Sequence, residues 1–224
     1  MDRSRIVLIL FAFVSIVNIA SVAIDWQTGI YFSKPLIMIS LSFWFWEKTK
    51  TNRSKFSLFI LLGLMASIAG DSFLMFTQHA PIFFLLGLGS FLIAHLFYIT
   101  AFIKKGNRPQ IKLPVLVPIL IYLSAFIYYL LPDLPGDFKI PVIIYGCVIS
   151  TMLLLSISRN AMTRSKTLAL GAALFVLSDS IIAIGKFKEL GVSDNLLGLA
   201  IMITYIFGQY LIAKNSSELN EYGI

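Results

Sequence analysis

Asp71 sits in SIAGDSFLMF (67–76) and Asp179 in VLSDSIIAI (176–184), each followed by serine inside a long apolar run. An unpaired carboxylate in hydrocarbon costs roughly 2.5–3.5 kcal/mol on insertion scales, so such residues face a bundle interior or water. Two carboxyl groups held close together do not both ionise easily, which makes one an acid and the other a base. Lys34, Asn18, His95 and Tyr145 are further polar side chains at depth. Lys34 would pair with a carboxylate or bind an anionic group. His95 lies deeper than the aspartates, with Tyr98 three residues on and so on the same helical face. Plainer readings stay open at this point. The aspartates could be buried partners of Lys34 that hold helices together, or proton-coupling groups of a transporter. His95 could simply be an interhelical hydrogen-bond partner.

The elements that position these residues follow from composition. Of 224 residues, 58% are hydrophobic and only 13% charged, against roughly 25% charged in an ordinary soluble domain. This is the composition of an all-α integral membrane protein. Apolar runs fall at 6–24, 31–46, 56–76, 81–103, 113–131, 140–158, 168–185 and 196–213, which gives one domain, 1–224, built as an eight-helix transmembrane bundle. The 31–46 run is the weakest, being short and holding Lys34 and Pro35, the latter suited to an early helical turn. Ser21-Val22-Ala23 also offers a weak signal-peptide cleavage site, whose use would leave seven spans.

All Lys and Arg residues except Lys34, Lys139, Lys186 and Lys188 fall in alternate connectors or the termini. That bias places both termini in the cytoplasm and argues against nucleic acid as a partner. Trp44 and Trp46 at one interface, and Trp26, Tyr128 and Tyr129 at the other, read as belt residues. Asp71 and Asp179 would lie about 8 and 9 Å from the outer edge at ~1.5 Å rise per residue, hence at one level. The geometry expected is an outward-opening polar cleft holding both, with Lys34 beside them. SIAGDSFLM and FVLSDSIIA also resemble each other, which suggests a parallel repeat pairing spans 1–4 with 5–8. One cysteine excludes an internal disulfide, and two histidines exclude a three-histidine zinc site. Asp71, Asp179 and His95 are a conceivable metal set, but neither metal nor cofactor is expected.

YFSKPLIM (31–38), AGDSFLM (69–75), FLIAHLFYI (91–99), GAALFVLSDSIIAIGKF (171–187) and YIFGQYLI (205–212) together resemble the YhhN-like lysoplasmalogenase family of multi-span membrane proteins. The resemblance covers the whole chain. It implies an ether hydrolase of a bacterial inner membrane, acting on a lysophospholipid among membrane lipids. The bond cleaved would be the vinyl ether of lysoplasmalogen, releasing a fatty aldehyde and glycerophosphoethanolamine or glycerophosphocholine. Carried over by residue, Lys34, Asp71, His95, Ser178 and Asp179 are the functional positions. Vinyl ether cleavage begins by protonating the β-carbon, and needs an acid together with a carboxylate beside the cation that forms. Asp71 and Asp179 suit those catalytic roles in either order, with Lys34, His95, Ser178, Asn18 and Tyr145 around the substrate. A small-molecule or lipid transporter is the rival expectation. Oligomeric state is open.

Overall fold

The computed structural model describes residues 2–104, 110–158 and 165–221. Most of the two basic connectors at 104–112 and 159–166 therefore lies outside the described residues. Among those described, the chain is all helix: α1 (Arg3–Ala23), α2 (Gln27–Thr49), α3 (Lys55–Leu74), α4 (Pro81–Lys104), α5 (Leu113–Leu130), a 3₁₀ turn (Leu131–Asp133), α6 (Gly136–Ser158), α7 (Ser165–Phe187) and α8 (Asp194–Glu221).

Local chemistry sets the helix ends. Asp2 caps α1 by accepting from the Ser4 amide at 3.4 Å and the Ser4 hydroxyl at 2.6 Å. Those bonds hold its carboxyl below the usual aspartate value. Ser54 and Ser57 form a reciprocal capping box at the start of α3. α4 opens on Pro81 and α5 carries Pro114 in its first turn, where the missing amide hydrogen costs nothing. α1 closes with the Trp26 amide donating to the Ser21 carbonyl at 2.8 Å, and Asp25 takes the left-handed conformation (φ 53°) that this turn needs.

Seven of these helices are long and apolar enough to cross a membrane. The chain is an integral membrane protein. The remaining long helix is α2. Its 23 residues would reach about 34 Å, but it is more polar. It starts at Gln27, so Pro35 stands in the third turn rather than the first, leaving the Tyr31 carbonyl without its helical donor. α2 is sheltered by α1, α3 and α8, which explains how it tolerates that polarity.

Trp44 corrects one expectation. It is 4% exposed and packs on Tyr210 with ring centroids 6.0 Å apart, so it belongs to the core and not to an interfacial belt. Helical spacing turns it inward, while Trp46 remains outside beneath the cations of Lys50 and Arg53.

α1, α3 and α7 end, and α2, α4 and α8 begin, around one cavity whose wall includes Val22, Lys34, Leu74, Phe84, Lys186 and Asp194. This is the vestibule end. At the opposite end Asn220 of α8 accepts from Ser54 at 2.6 Å and exchanges hydrogen bonds with Asn52, tying α8 to the α2–α3 connector. The tightest contacts join α3 to α4 and α7 to α8. Between α7 and α8, Gly171 and Gly208 face each other so closely that a Cβ on Gly208 would lie 3.0 Å from the Gly171 carbonyl oxygen. Close backbone approach through small residues is how membrane helices gain packing energy without a hydrophobic drive. α5 is the opposite case. It packs chiefly on α6, and only Ile119 and Leu130 are buried.

Candidate active site

Asp179 lies on α7, eight residues before the helix ends at Phe187. Tyr145 of α6 donates its hydroxyl to Asp179 Oδ2. His95 of α4 brings Nε2 within 3.2 Å of the same oxygen and 2.9 Å of the Tyr145 hydroxyl. His95 Nδ1 faces only the weakly accepting Met152 Sδ at 3.3 Å, so the tautomer with its proton on Nε2 fits the site.

By sequence His95 lies deeper than the aspartates, yet it reaches Asp179. Two features bring it up. α7 extends further toward the vestibule end than its apolar run, which lowers Asp179 relative to the helix end. Side chains also tilt toward their helix N-terminus. α4 and α7 run in opposite directions, so His95 leans toward the vestibule end while Asp179 leans away from it, and they meet between.

Both contacts to Asp179 fall on Oδ2. Asp179 also lines a narrow apolar cleft, together with Phe91, Tyr122, Phe126, Tyr145 and Ile149, among others. The cleft has a volume of about 50 Å³, room for a few waters. α5 forms its side wall, held across the cleft by the Tyr122–Ser180 hydroxyl pair. The cleft abuts the vestibule, a cavity of about 360 Å³, at the shared residues Leu74, Phe84 and Ile182. Ile182 is three residues after Asp179 and so stands one turn above it on the same face.

Asp71 is 2% exposed and accepts from the Tyr205 hydroxyl of α8 at 2.7 Å. It lines neither cavity, so the two carboxylates do not share one polar cleft. Phe175 stands between the two systems, with its ring centroid 4.7 Å from that of His95 and 5.5 Å from that of Tyr205. Phe91, which lines the cleft, packs edge-on against Tyr205. Asp71 is nonetheless within electrostatic reach of both Lys34 and Asp179. Deeper still, Tyr98 donates to Gln209 at 2.8 Å and Gln209 donates to Ser67 at 3.0 Å, a closed polar network that fastens α3, α4 and α8.

The remaining candidates separate. Lys34 lines the vestibule and Tyr145 lines the cleft. Ser178 is fully buried and donates to the Ile201 carbonyl at 3.2 Å, facing α8 rather than a cavity. Asn18 is fully buried and donates to Ser33 at 2.9 Å, joining α1 to α2. Among the described residues no three of His, Cys, Asp and Glu gather closely enough to hold a metal ion. Tyr205 was not singled out from the sequence, although its i,i+4 spacing to Gln209 on one polar stripe was a readable signal.

Tyr205→Phe removes the donor to a buried carboxylate and is expected to cost about 1–3 kcal/mol of stability. The unfolding midpoint in detergent reads this, and an unchanged midpoint would show that Asp71 does not depend on Tyr205.

Comparison with known proteins finds relatives over much of the chain. The chain is 31% identical over 155 residues to a pig protein named lysoplasmalogenase TMEM86B, covering 69% of this chain and 62% of that protein. It is 34% identical over 170 residues to a cattle protein named lysoplasmalogenase TMEM86A, covering 72% and 66% respectively. A Mycobacterium bovis protein named lysoplasmalogenase is 29% identical over 135 residues, covering 58% and 49%. The chain thus spans less than two thirds of the length of the first of these curated relatives. No solved structure matches it. The family model described as the YhhN family matches residues 29–216, which takes in α2 to α8 and every residue of the Asp71 and Asp179 networks, and the chain belongs to that family.

Proposed function

We propose that the protein is a membrane hydrolase that cleaves the vinyl ether of lysoplasmalogen, releasing a fatty aldehyde and a glycerophosphodiester. The observation that carries this reading is the place of Asp179. It lines an apolar cleft that abuts a charged vestibule. A lysolipid has the same order of parts: an apolar chain, then the ether, then a charged headgroup.

In this mechanism protonated Asp179 gives its Oδ1 proton to the β-carbon of the vinyl ether, leaving an oxocarbenium ion on the α-carbon. Tyr145 and His95 already donate toward Oδ2. They therefore stabilise the carboxylate as it forms, and that carboxylate faces the cation. Preorganised donors aimed at developing charge in a dry site are worth far more than in water. Water then adds to the α-carbon and passes a proton to Asp179. The hemiacetal collapses, its hydroxyl proton passing to the glycerol oxygen as the C–O bond breaks. Asp71 touches no substrate in this scheme.

The names of the relatives support this chemistry and favour an enzyme over a transporter. Both termini in the cytoplasm of a bacterial inner membrane is the topology that the charge bias supports. A four-helix duplication is also part of the reading. The carboxylate on the third helix of each half is bonded from the fourth helix of the other half, Asp71 by Tyr205 of α8 and Asp179 by His95 of α4.

The test uses purified protein offered lysoplasmenylethanolamine beside the matching ester lysolipid. Aldehyde from the vinyl ether, and no cleavage of the ester, is the expected result. Absence of aldehyde overturns the reading.

A further inference from the structure

The vestibule holds two charges of each sign: Lys34 and Lys186, Asp25 and Asp194. None of the four is in an ion pair among the described residues. Unpaired charges of both signs around one cavity at a bundle end are suited to a ligand that is itself doubly charged.

Lys34 is the deepest of the four along its helix. Lys34 is the eighth residue of α2 and within electrostatic reach of Asp71. Lys186 lies seven residues past Asp179, about 10 Å along α7, and its side chain leans back toward the helix N-terminus. Its ammonium stands 5.7 Å from the ring of Phe84, a residue common to the cleft and the vestibule. Asp25 and Asp194 lie at the helix ends, in the α1–α2 turn and at the first residue of α8. Asp25 is held there by its left-handed backbone and by Gln27, whose side-chain amide donates to Oδ1 at 2.7 Å.

We propose that the vestibule is a two-sign clamp for a zwitterionic phosphodiester headgroup, with Lys34 and Lys186 on the phosphate and Asp25 and Asp194 on the terminal ammonium. From the cleft outward the order is Asp179, the lysines, the aspartates. In the lipid it is ether, phosphate, ammonium. This rests on the lipid-hydrolase reading and adds what selects the headgroup. Matching charges of both signs specify a partner mainly by penalising the wrong one. A headgroup ending in bare phosphate would meet the two carboxylates with like charge.

The experiment uses saturated-ether lysolipids, which lack the vinyl group and are not cleaved by this chemistry. Binding to the purified full chain in detergent is measured for a phosphoethanolamine probe and for a phosphate-only probe. The wild type should prefer the phosphoethanolamine probe. Asp25→Asn combined with Asp194→Asn should weaken that probe about fivefold and leave the phosphate-only probe unchanged or tighter. Lys186→Gln should weaken both alike. Equal wild-type binding of the two probes overturns the clamp, whatever the variants do, and so does an equal loss on both probes in the aspartate double variant. Because neither probe is turned over, failure of the aldehyde assay with this binding pattern intact would remove the vinyl ether chemistry and leave the clamp standing.

Discussion

Asp179→Asn is expected to lower kcat for aldehyde release by about 10²–10⁴-fold, with KM little changed. Asparagine fills the same volume and still accepts from Tyr145, so α6 and α7 keep their contact. What is lost is an acidic proton for the β-carbon and, after it leaves, the carboxylate that faces the cation. Initial rates across substrate concentration separate the two constants, and loss of a group that acts only in the transition state appears in kcat. Asp71→Asn is the informative comparison. Asp71 lines neither cavity, so its replacement should cost markedly less turnover. Equal losses at both positions would mean that the two carboxylates share the proton transfers, and the assignment to a single oxygen of Asp179 would be wrong.

The second large effect is expected at the α7–α8 contact. Gly208→Ala places a methyl group 3.0 Å from both the Gly171 carbonyl oxygen and the Phe175 amide nitrogen. Both neighbours are backbone, so relief requires the helices to separate, and overpacking of this kind costs about 1–3 kcal/mol, occasionally more. Gly208→Leu should go further and reduce the yield of monodisperse protein. It should also reduce turnover in whatever folds. The displaced helices carry Asp179 and Tyr205, and Phe175 lies between their networks. Gly89→Ala is the control, since nothing lies within 4 Å of a Cβ there. Equal stability of Gly208→Ala and Gly89→Ala would refute the close approach as a determinant of the fold.

Much of the bundle was legible because a bilayer leaves few choices. Long apolar runs must become helices when no water is present to satisfy the backbone. α2 was harder to read. Its polar first turns, 27–30, look like a connector until α1, α3 and α8 are seen to shelter it. The level of Asp179 could be approached by counting, yet its partner could not. The His95 contact depends on where α7 stops and on the opposed tilt of side chains on antiparallel helices, and apolar runs do not reveal either. Trp44 and Trp46 show the same limit, because composition treats both as belt residues while helical phase buries one. Asp71 differs most from expectation. A carboxylate in a membrane span suggests water, but Asp71 is instead buried and satisfied within protein by Tyr205.

The thin packing of α5 has a consequence of its own. The cleft that α5 walls off has a volume of only about 50 Å³, and seating a hydrocarbon chain there asks this helix to give way. Only Ile119 and Leu130 of this helix are buried, so little side-chain packing opposes such a movement. The slot beside Asp179 is thus bounded by the least buried of the spanning helices.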